Sequence, residues 1–317
     1  MNVAKCSIVV VNWNAGKQLL ECIQSIVDYN NALVTQVVVV DNGSSDGSMK
    51  LVEGLRDTPF PLRLVYNDKN LGFGAACNRG ATLAESEYVL FLNPDAKLLS
   101  GSLGGPLTFM EETANVDVGV VGVQLLDEQG KVARSCARFP TLGMFASQIL
   151  AIDRLPGMGN FGLHMSEWEH DTTQTVDHVI GAFFLIRRSL FVRVGGFDER
   201  FFVYLEDLDL SLRVHQSNFR AVYLANAQAF HAGGGTSRQV KARRLFYSLR
   251  SRLYYGFKHF SALQSWILLA ITLLIEPLTR SFLAVFRRSA SDLFNTWCAY
   301  GMLLRDLPRI LREARER

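Results

Sequence analysis

An α/β fold built on a mostly parallel sheet is predicted by two features of the sequence. Its strand-like runs are apolar on both faces, and they alternate with stretches of helical periodicity. Strands of that kind belong to a sheet covered by helices on both sides. Ser7–Val11 is the first such run. Gly16–Asp28 follows as a helix with Leu19, Leu20, Ile23, Ile26 and Val27 on one face. Val37–Val40 is a second, all-Val strand, followed by a Gly/Ser/Asp turn and a helix over Ser48–Leu55. The strand Leu62–Tyr66, the helix Ala75–Ala84 and the strand Tyr88–Leu92 extend the alternation. Between about Asp127 and Asp177 the pattern weakens into Gly/Pro punctuation, aromatics and histidines, as expected of a binding loop or lid. Order returns at Val179–Ile186 and in the helix Glu206–His215.

The 317 residues, 49% hydrophobic and 20% charged, exclude a disordered, collagen-like or coiled-coil chain. Five scattered cysteines without a C-x-x-C pair argue against a disulfide framework or structural zinc, and for a reducing compartment. The run Ser7–Val11 ends at Asn12, too early for a secretory leader. A net charge of +3 conceals an asymmetry. Residues 1–230 carry 18 basic and 25 acidic side chains, whereas residues 231–317 carry 15 and 5. A basic end on an acidic body predicts an anionic partner there, a membrane surface rather than nucleic acid.

Ligands of open α/β sheets bind beyond the carboxyl ends of the strands. Here four successive ends carry Asn12-Trp13-Asn14, Asp41-Asn42-Gly43, Asn67-Asp68 and Asn93-Pro94-Asp95. One such residue is an ordinary turn or cap, but four in a row favour a shared polar site. A dinucleotide fingerprint is excluded: Asn12–Gly16 offers one glycine, and Gly72-Phe73-Gly74 meets Cys77 where the third glycine belongs. No P-loop occurs either. Gly43-Ser44-Ser45-Asp46-Gly47 fits a nucleophile elbow centred on Ser45, yet Ser44 and Asp46 are good helix caps and capping is the better account. Asp95, closing a buried strand, suits a hard divalent cation as well as it suits a helix cap.

Glu206, Asp207 and Asp209 place three carboxylates within four residues, which requires a cation, an Arg or a proton-transfer task to offset them. Arg213, four residues beyond Asp209, offsets one. The competing account is a solvated helix start favoured by the macrodipole. His231-Ala232-Gly233-Gly234-Gly235-Thr236-Ser237 is a loop that lets backbone approach a ligand closely, with His231 as a ligand or a structural histidine.

Taken in order, these segments resemble the family-2 inverting glycosyltransferases of GT-A fold, over roughly Ser7 to Ser237. The resemblance rests on Ser7–Asn14, Val38–Gly47, Asn70–Gly74 running to Asn78-Arg79-Gly80, Phe91–Asp95, Gly181–Phe184, Gly195–Asp198 and Glu206–Leu210. Asn93 departs from the family's commoner Asp-x-Asp. Together with the Phe-Phe-x-Tyr-x-Glu-Asp-x-Asp run from Phe201 to Asp209, it is similar to the branch rich in rhamnosyltransferases of bacterial cell-wall and O-antigen assembly. The resemblance implies an α/β/α nucleotide-sugar-binding sandwich over residues 1–237, with a nucleotide-binding half (1–126) and an acceptor and catalytic half (127–237). Residues 238–317 form a helical, basic and apolar extension.

By that resemblance Asp41 accepts from the pyrimidine base of a dTDP- or UDP-linked sugar donor, and Asn12, Asn42, Asn70, Gly72, Phe73, Asn78 and Arg79 line the same pocket. Asp95 holds Mg²⁺ or Mn²⁺ against the diphosphate, with His231 as a further ligand and the neutral Asn93 weakening the metal site. Asp207 is the general base, Glu206 its neighbour near the acceptor, and Gly181-Ala182 leave room for the acceptor sugar. The implied reaction is a single displacement with inversion. It moves L-rhamnose from dTDP-rhamnose to a glycan or polyprenyl-diphosphate-linked acceptor at the cytoplasmic face of the membrane. The alternatives are a UDP-hexose or UDP-N-acetylhexosamine donor, or a non-catalytic glycan-binding protein, against which Asp95, Glu206 and Asp207 argue.

Beyond Ser237 the basic residues Lys241, Arg243, Arg244, Arg250, Arg252 and Lys258 mix with Phe246, Tyr247, Tyr254 and Tyr255. Trp266–Ile275 is apolar but stops at Glu276-Pro277, short of the about 20 residues a bilayer span needs. Arg280, Arg287 and Arg288 flank a second apolar patch, Phe282–Phe286. An interfacial membrane anchor is expected. The alternative is a helical subdomain packed on the core or in a homodimer.

Overall fold

The computed structural model describes residues 4–55, 57–155, 157–233 and 241–315. The chain divides into two units. One comprises Met1–Arg138, Trp168–Glu199 and Glu206–Thr236; the other comprises Phe139–Glu167, Arg200–Leu205 and Ser237–Arg317. The second unit therefore takes two inserts from the first 237 residues, besides the C-terminal region. Residues 234–237 of the expected glycine-rich loop lie outside the described residues.

In chain order the strands are β1 (Cys6–Asn12), β2 (Val34–Asp41), β3 (Leu62–Tyr66), β4 (Tyr88–Leu92), β5 (Ala96–Leu98) and β6 (Val118–Leu126). They continue with β7 (Cys136–Ala137), β8 (Gln174–Val176), β9 (His178–Val179), β10 (Phe183–Arg187) and β11 (Arg220–His231). The helices are α1 (Lys17–Asn30), α2 (Ser48–Glu53), α3 (Phe73–Ala81), α4 (Gly104–Glu111), α5 (Leu142–Ile149) and α6 (Arg188–Arg193). They are followed by α7 (Glu206–Gln216), α8 (Lys241–His259), α9 (Ala262–Ala270), α10 (Glu276–Phe286) and α11 (Ala290–Arg315).

The first unit is organised by one sheet of order β3-β2-β1-β4-β10-β6-β11-β5, with β8 on β11. Strands β3, β2, β1 and β4 are mutually parallel, and so are β6 and β11. Between these groups β10 runs antiparallel to both neighbours, so most strands share one direction. The alternation explains why β1 and β2 are apolar throughout. Ile8, Val10, Val37 and Val39 share a core with Leu19, Ile23 and Ile26 of α1. Val9 and Val40 face α3 on the opposite side, where Gly80 leaves no room for a side chain: a Cβ there would lie 2.5 Å from Val9 Cγ1. The register ends β1 at Asn12 beside Asp41 of β2, so the expected polar residues sit together at the carboxyl edge.

The stretch Val179–Ile186, where order is expected to return, contributes to two strands. β9 pairs with β7, and β10 joins the main sheet. They part at Gly181, whose N–H is drawn to the Asp207 carboxylate 2.8 Å away instead of a ladder partner. The stretch 127–177 is likewise more ordered than a lid, containing α5 and short 3₁₀ turns.

The second unit is helical. Within it Arg252 and Arg280 both pair with the buried Glu276, at 2.5 and 2.7 Å. Thr279 Oγ1 donates to the Ile149 carbonyl, and Phe145 meets Tyr255 edge to face. Contrary to the expectation of an apolar run too short to span a bilayer, residues Ala262–Phe286 form one continuous helix of 25 residues, with an 18-residue stretch of mean hydropathy 1.7. By length and composition alone it is sufficient to cross a membrane. A π-helical turn at Ile271–Ile275 leads into Pro277, whose ring nitrogen has no hydrogen to donate to a carbonyl in the preceding turn.

Candidate active site

At the carboxyl edge, the buried Asn12 amide donates to Asp41 Oδ1 at 2.8 Å, to Ser48 Oγ at 2.8 Å and to Ser44 Oγ at 3.1 Å. Asp41 Oδ2 accepts from the Ser44 N–H. Asn42 donates to Asn70 Oδ1 and the Gly72 carbonyl, both at 3.0 Å, and accepts from Asn67 and the Leu71 N–H. Arg79 donates in turn to Asn67 Oδ1. Gly43 makes this junction possible: its φ is +75°, and a Cβ would lie 2.9 Å from the Lys69 backbone. The Asn42 N–H also donates to the Asn12 carbonyl at 2.7 Å, so Asn12, Asp41, Asn42, Asn70, Gly72 and Arg79 lie in one hydrogen-bonded network.

Asn78 is placed differently. Its amide donates to the Phe197 carbonyl at 2.8 Å and to Glu199, and its carbonyl accepts from the Phe197 N–H. It is a clamp on the Phe197–Glu199 loop. The Gly43–Gly47 turn is likewise held by its own polar groups. Asp46 accepts from the Gly16 and Ser48 N–H groups and from the Ser48 hydroxyl; the cap residue of α2 is Gly47, which makes no side-chain cap bond, and Ser44 Oγ accepts from Asn12 and the Asn14 N–H, so the expected capping by Ser44 does not occur.

Helix α7 resolves its three carboxylates in three ways. Asp209 is fully buried and paired with Arg213 at 2.8 Å. Glu206 is also buried; burial first, and the neighbouring Asp207 second, hold its carboxyl well above the usual range. Its Oε2 has no hydrogen-bond partner among the described residues. Asp207 alone keeps access to solvent, with 19% of its side chain exposed. Its Oδ2 accepts from the Gly181 N–H at 2.8 Å, and Oδ1 accepts from the Leu208 N–H. Two successive left-handed residues, Tyr204 (φ 71°) and Leu205 (φ 65°), turn the chain into this helix start. Such strain in non-glycine backbone collects at functional sites.

A Cβ on Gly181 would approach Asp207 Oδ2 to 3.2 Å and the Phe73 ring to 3.6 Å, so glycine, carboxylate and aromatic ring lie side by side. His178 Nε2 stands 3.6 Å from Asp207 Oδ2, and its Nδ1 meets Ser211 Oγ at 3.0 Å. A lone histidine in a weakly patterned stretch gave the sequence no means of marking it. The fully buried Ala182 accepts through its carbonyl from the Asn93 N–H at 3.1 Å, joining the Gly181 loop to the Asn93-Pro94-Asp95 turn.

Asp95 and His231 come together because β11 pairs with β5, setting His231 opposite Ala96. The Asp95 Oδ1 to His231 Nε2 distance is 3.3 Å, with 11% and 12% of the side chains exposed. Among the described residues no cluster of three or more His, Cys, Asp or Glu could enclose a metal ion. One carboxylate and one imidazole suit a divalent cation that takes its remaining ligands from substrate phosphates and water.

The profile of glycosyl transferase family 2 matches residues 7–195. The chain is 30% identical over 239 residues to N-acetylglucosaminyl-diphospho-decaprenol L-rhamnosyltransferase of Mycobacterium tuberculosis, covering 71% of this chain and 75% of that protein. It is 25% identical over 250 residues to rhamnosyltransferase WbbL of Escherichia coli, covering 69% of this chain and 91% of that one. Among solved structures, the Pyrobaculum calidifontis mannosyltransferase PcManGT in complex with GDP-Man and Mn²⁺ has the same fold. Its TM-score is 0.57 at 17% identity, covering 96% of this chain and 88% of that one. Strand-end site, sheet order and family profile agree, and the chain belongs to glycosyl transferase family 2, as a rhamnosyltransferase-like member with a GT-A-like fold.

Proposed function

We propose that this enzyme transfers L-rhamnose from dTDP-rhamnose to a glycan on a polyprenyl diphosphate, with inversion at the anomeric carbon. The observation that carries the reading is the fate of the α7 carboxylates: Asp207 alone remains accessible, anchored by the Gly181 amide. The acceptor hydroxyl is a weak nucleophile near neutral pH, and Asp207 takes its proton as it attacks. Burial first, and the neighbouring Asp207 second, make Glu206 hold its proton more tightly than a free carboxyl, which lessens the negative charge beside that base. Phe73 and the side-chain-free Gly181 bound the space for the acceptor sugar. Asp41, each of whose carboxylate oxygens retains a free lone pair, receives the pyrimidine N–H, and Arg79 and Asn70 complete that end of the donor pocket. A divalent cation held by Asp95 and His231 would neutralise the charge developing on the leaving diphosphate. Attack from the side opposite the diphosphate, by one base in one step, inverts the centre.

The names of the two rhamnosyltransferase relatives support the sugar, the lipid-linked acceptor of the mycobacterial protein supports the acceptor class, and the bound Mn²⁺ of PcManGT supports a metal. The exposed apolar residues Leu274, Leu278, Phe282 and Phe286, with Arg280, Arg287 and Arg288 among them, support a peripheral site of action on the cytoplasmic face of the membrane. Ligand binding to the native state raises its melting temperature. Melting curves with dTDP-rhamnose, UDP-glucose and UDP-N-acetylglucosamine, each with and without Mn²⁺, test the donor. A Mn²⁺-dependent rise with dTDP-rhamnose alone is expected, and a rise with a UDP-sugar alone would replace the donor.

A further inference from the structure

We infer that the helical second unit carries its own binding site for the isoprenoid diphosphate of the acceptor, a proposal that rests on the lipid-linked acceptor reading. The site is a cavity of about 690 Å³ walled by α8, α10 and α11 together with parts of the two inserts. Lys241, Arg244, Arg280 and Arg287 line it, against Glu276 and Asp292. Glu276 is engaged by Arg252 and Arg280, and Asp292 lies 3.5 Å from Lys241. Arg244 and Arg287 have no acidic partner among the described residues. Two unopposed guanidinium groups, both on exposed residues bordering a cavity of ligand size, fit a phosphate or diphosphate, which their planar forks bind in pairs of hydrogen bonds.

The anion has an apolar continuation. A second trench of about 380 Å³ is lined by Leu150, Ala151, Leu278, Thr279, Phe282 and Leu283, and it shares Ala151, Thr279 and Leu283 with the basic cavity. Helical spacing separates the two along α10. Glu276, Arg280, Leu283 and Arg287 recur at intervals of three and four toward the cavity, while Leu278 and Phe282 lie on the adjoining apolar stripe, 64% and 70% exposed. A charged cavity joined to an open greasy trench matches one molecule with a diphosphate head and an isoprenoid tail. Tyr204 also lines the cavity, and in the sequence it stands three residues before Asp207.

The test is calorimetric titration of the full chain in EDTA, without sugar nucleotide, using farnesyl diphosphate, farnesol, inorganic pyrophosphate and monomeric dihexanoyl phosphatidylglycerol. Farnesyl diphosphate is expected to bind one to one, and farnesol and pyrophosphate at least about tenfold more weakly, since each lacks one half of the match. Arg244→Ser with Arg287→Ser should weaken farnesyl diphosphate by about tenfold or more, with partial recovery in the double Lys variant, which restores the charge but not the paired hydrogen bonds. Leu278→Ser with Phe282→Ser should weaken farnesyl diphosphate and leave pyrophosphate unchanged. Equal farnesyl diphosphate affinity in wild type and the Arg variant would overturn the site. So would pyrophosphate or the phosphatidylglycerol binding as tightly as farnesyl diphosphate, marking a free-phosphate or general headgroup site. Because no donor is present, an incorrect choice of sugar nucleotide leaves this result intact, and a correct one does not rescue it.

Discussion

Glu206 and Asp207 are neighbours in the chain, yet the fold gives them opposite surroundings. Asp207 reaches solvent, while Glu206 is buried with one oxygen unpartnered among the described residues. Its raised proton affinity has a consequence for stability. In the unfolded chain the carboxyl ionises near its ordinary value of about 4.3. The folded state holds the proton more tightly, so the stability contributed by Glu206 is complete below that value and declines as pH rises toward the folded one. Glu206→Gln removes the titration. Its melting temperature is expected to match wild type near pH 4 and to exceed it increasingly toward pH 8, about the upper end of the useful range. A difference independent of pH would contradict the assignment. Neither fate was legible in the run of acids itself, where only the Asp209–Arg213 spacing announced a partner.

At the scale of elements, the close seat of α3 on β1 and β2 depends on Gly80. Gly80→Ala sets a methyl group 2.5 Å from Val9 Cγ1 and 3.0 Å from Val40 Cγ2, both in buried strands that cannot give way. Overpacking of this kind costs about 1–3 kcal/mol, more than the helix propensity of alanine returns. A melting temperature several degrees below wild type is expected in calorimetry, and an unchanged one would mean that α3 can shift. Most of these elements were legible because their causes are local. The spacing of Leu19, Ile23 and Ile26 and the all-Val strand of β2 carry their periods openly. The misread elements have distant causes. The break between β9 and β10 comes from a carboxylate 26 residues along the chain. The bonds of Asn78 to Phe197 and Glu199 were not legible either, because those partners lie about 120 residues away. Helix Ala262–Phe286 passes through a proline that ordinarily ends a helix, since a widened turn precedes it.

For the whole molecule, the two units differ in their surfaces as well as in their secondary structure. The second unit exposes Leu263, Trp266, Leu274, Leu278, Phe282, Val285, Phe286, Phe294 and Trp297, each at least half exposed. Apolar exposure on that scale marks an interaction surface, and the nearby arginines support the proposed contact with an anionic bilayer. Wild type is expected to sediment with phosphatidylglycerol vesicles, and Leu274→Ser with Phe286→Ser to remain largely in the supernatant with its melting temperature unchanged. Equal sedimentation of the two would move membrane contact elsewhere. The chemistry itself is most directly tested at one atom pair, by measuring donor affinity and single-turnover rate side by side in Asp207→Asn. Asparagine keeps the hydrogen bond from Gly181 but cannot remove a proton. The rate is therefore expected to fall by about 10²–10⁴-fold while dTDP-rhamnose binds as in wild type. Turnover at the wild-type rate would show that the proton leaves by another route.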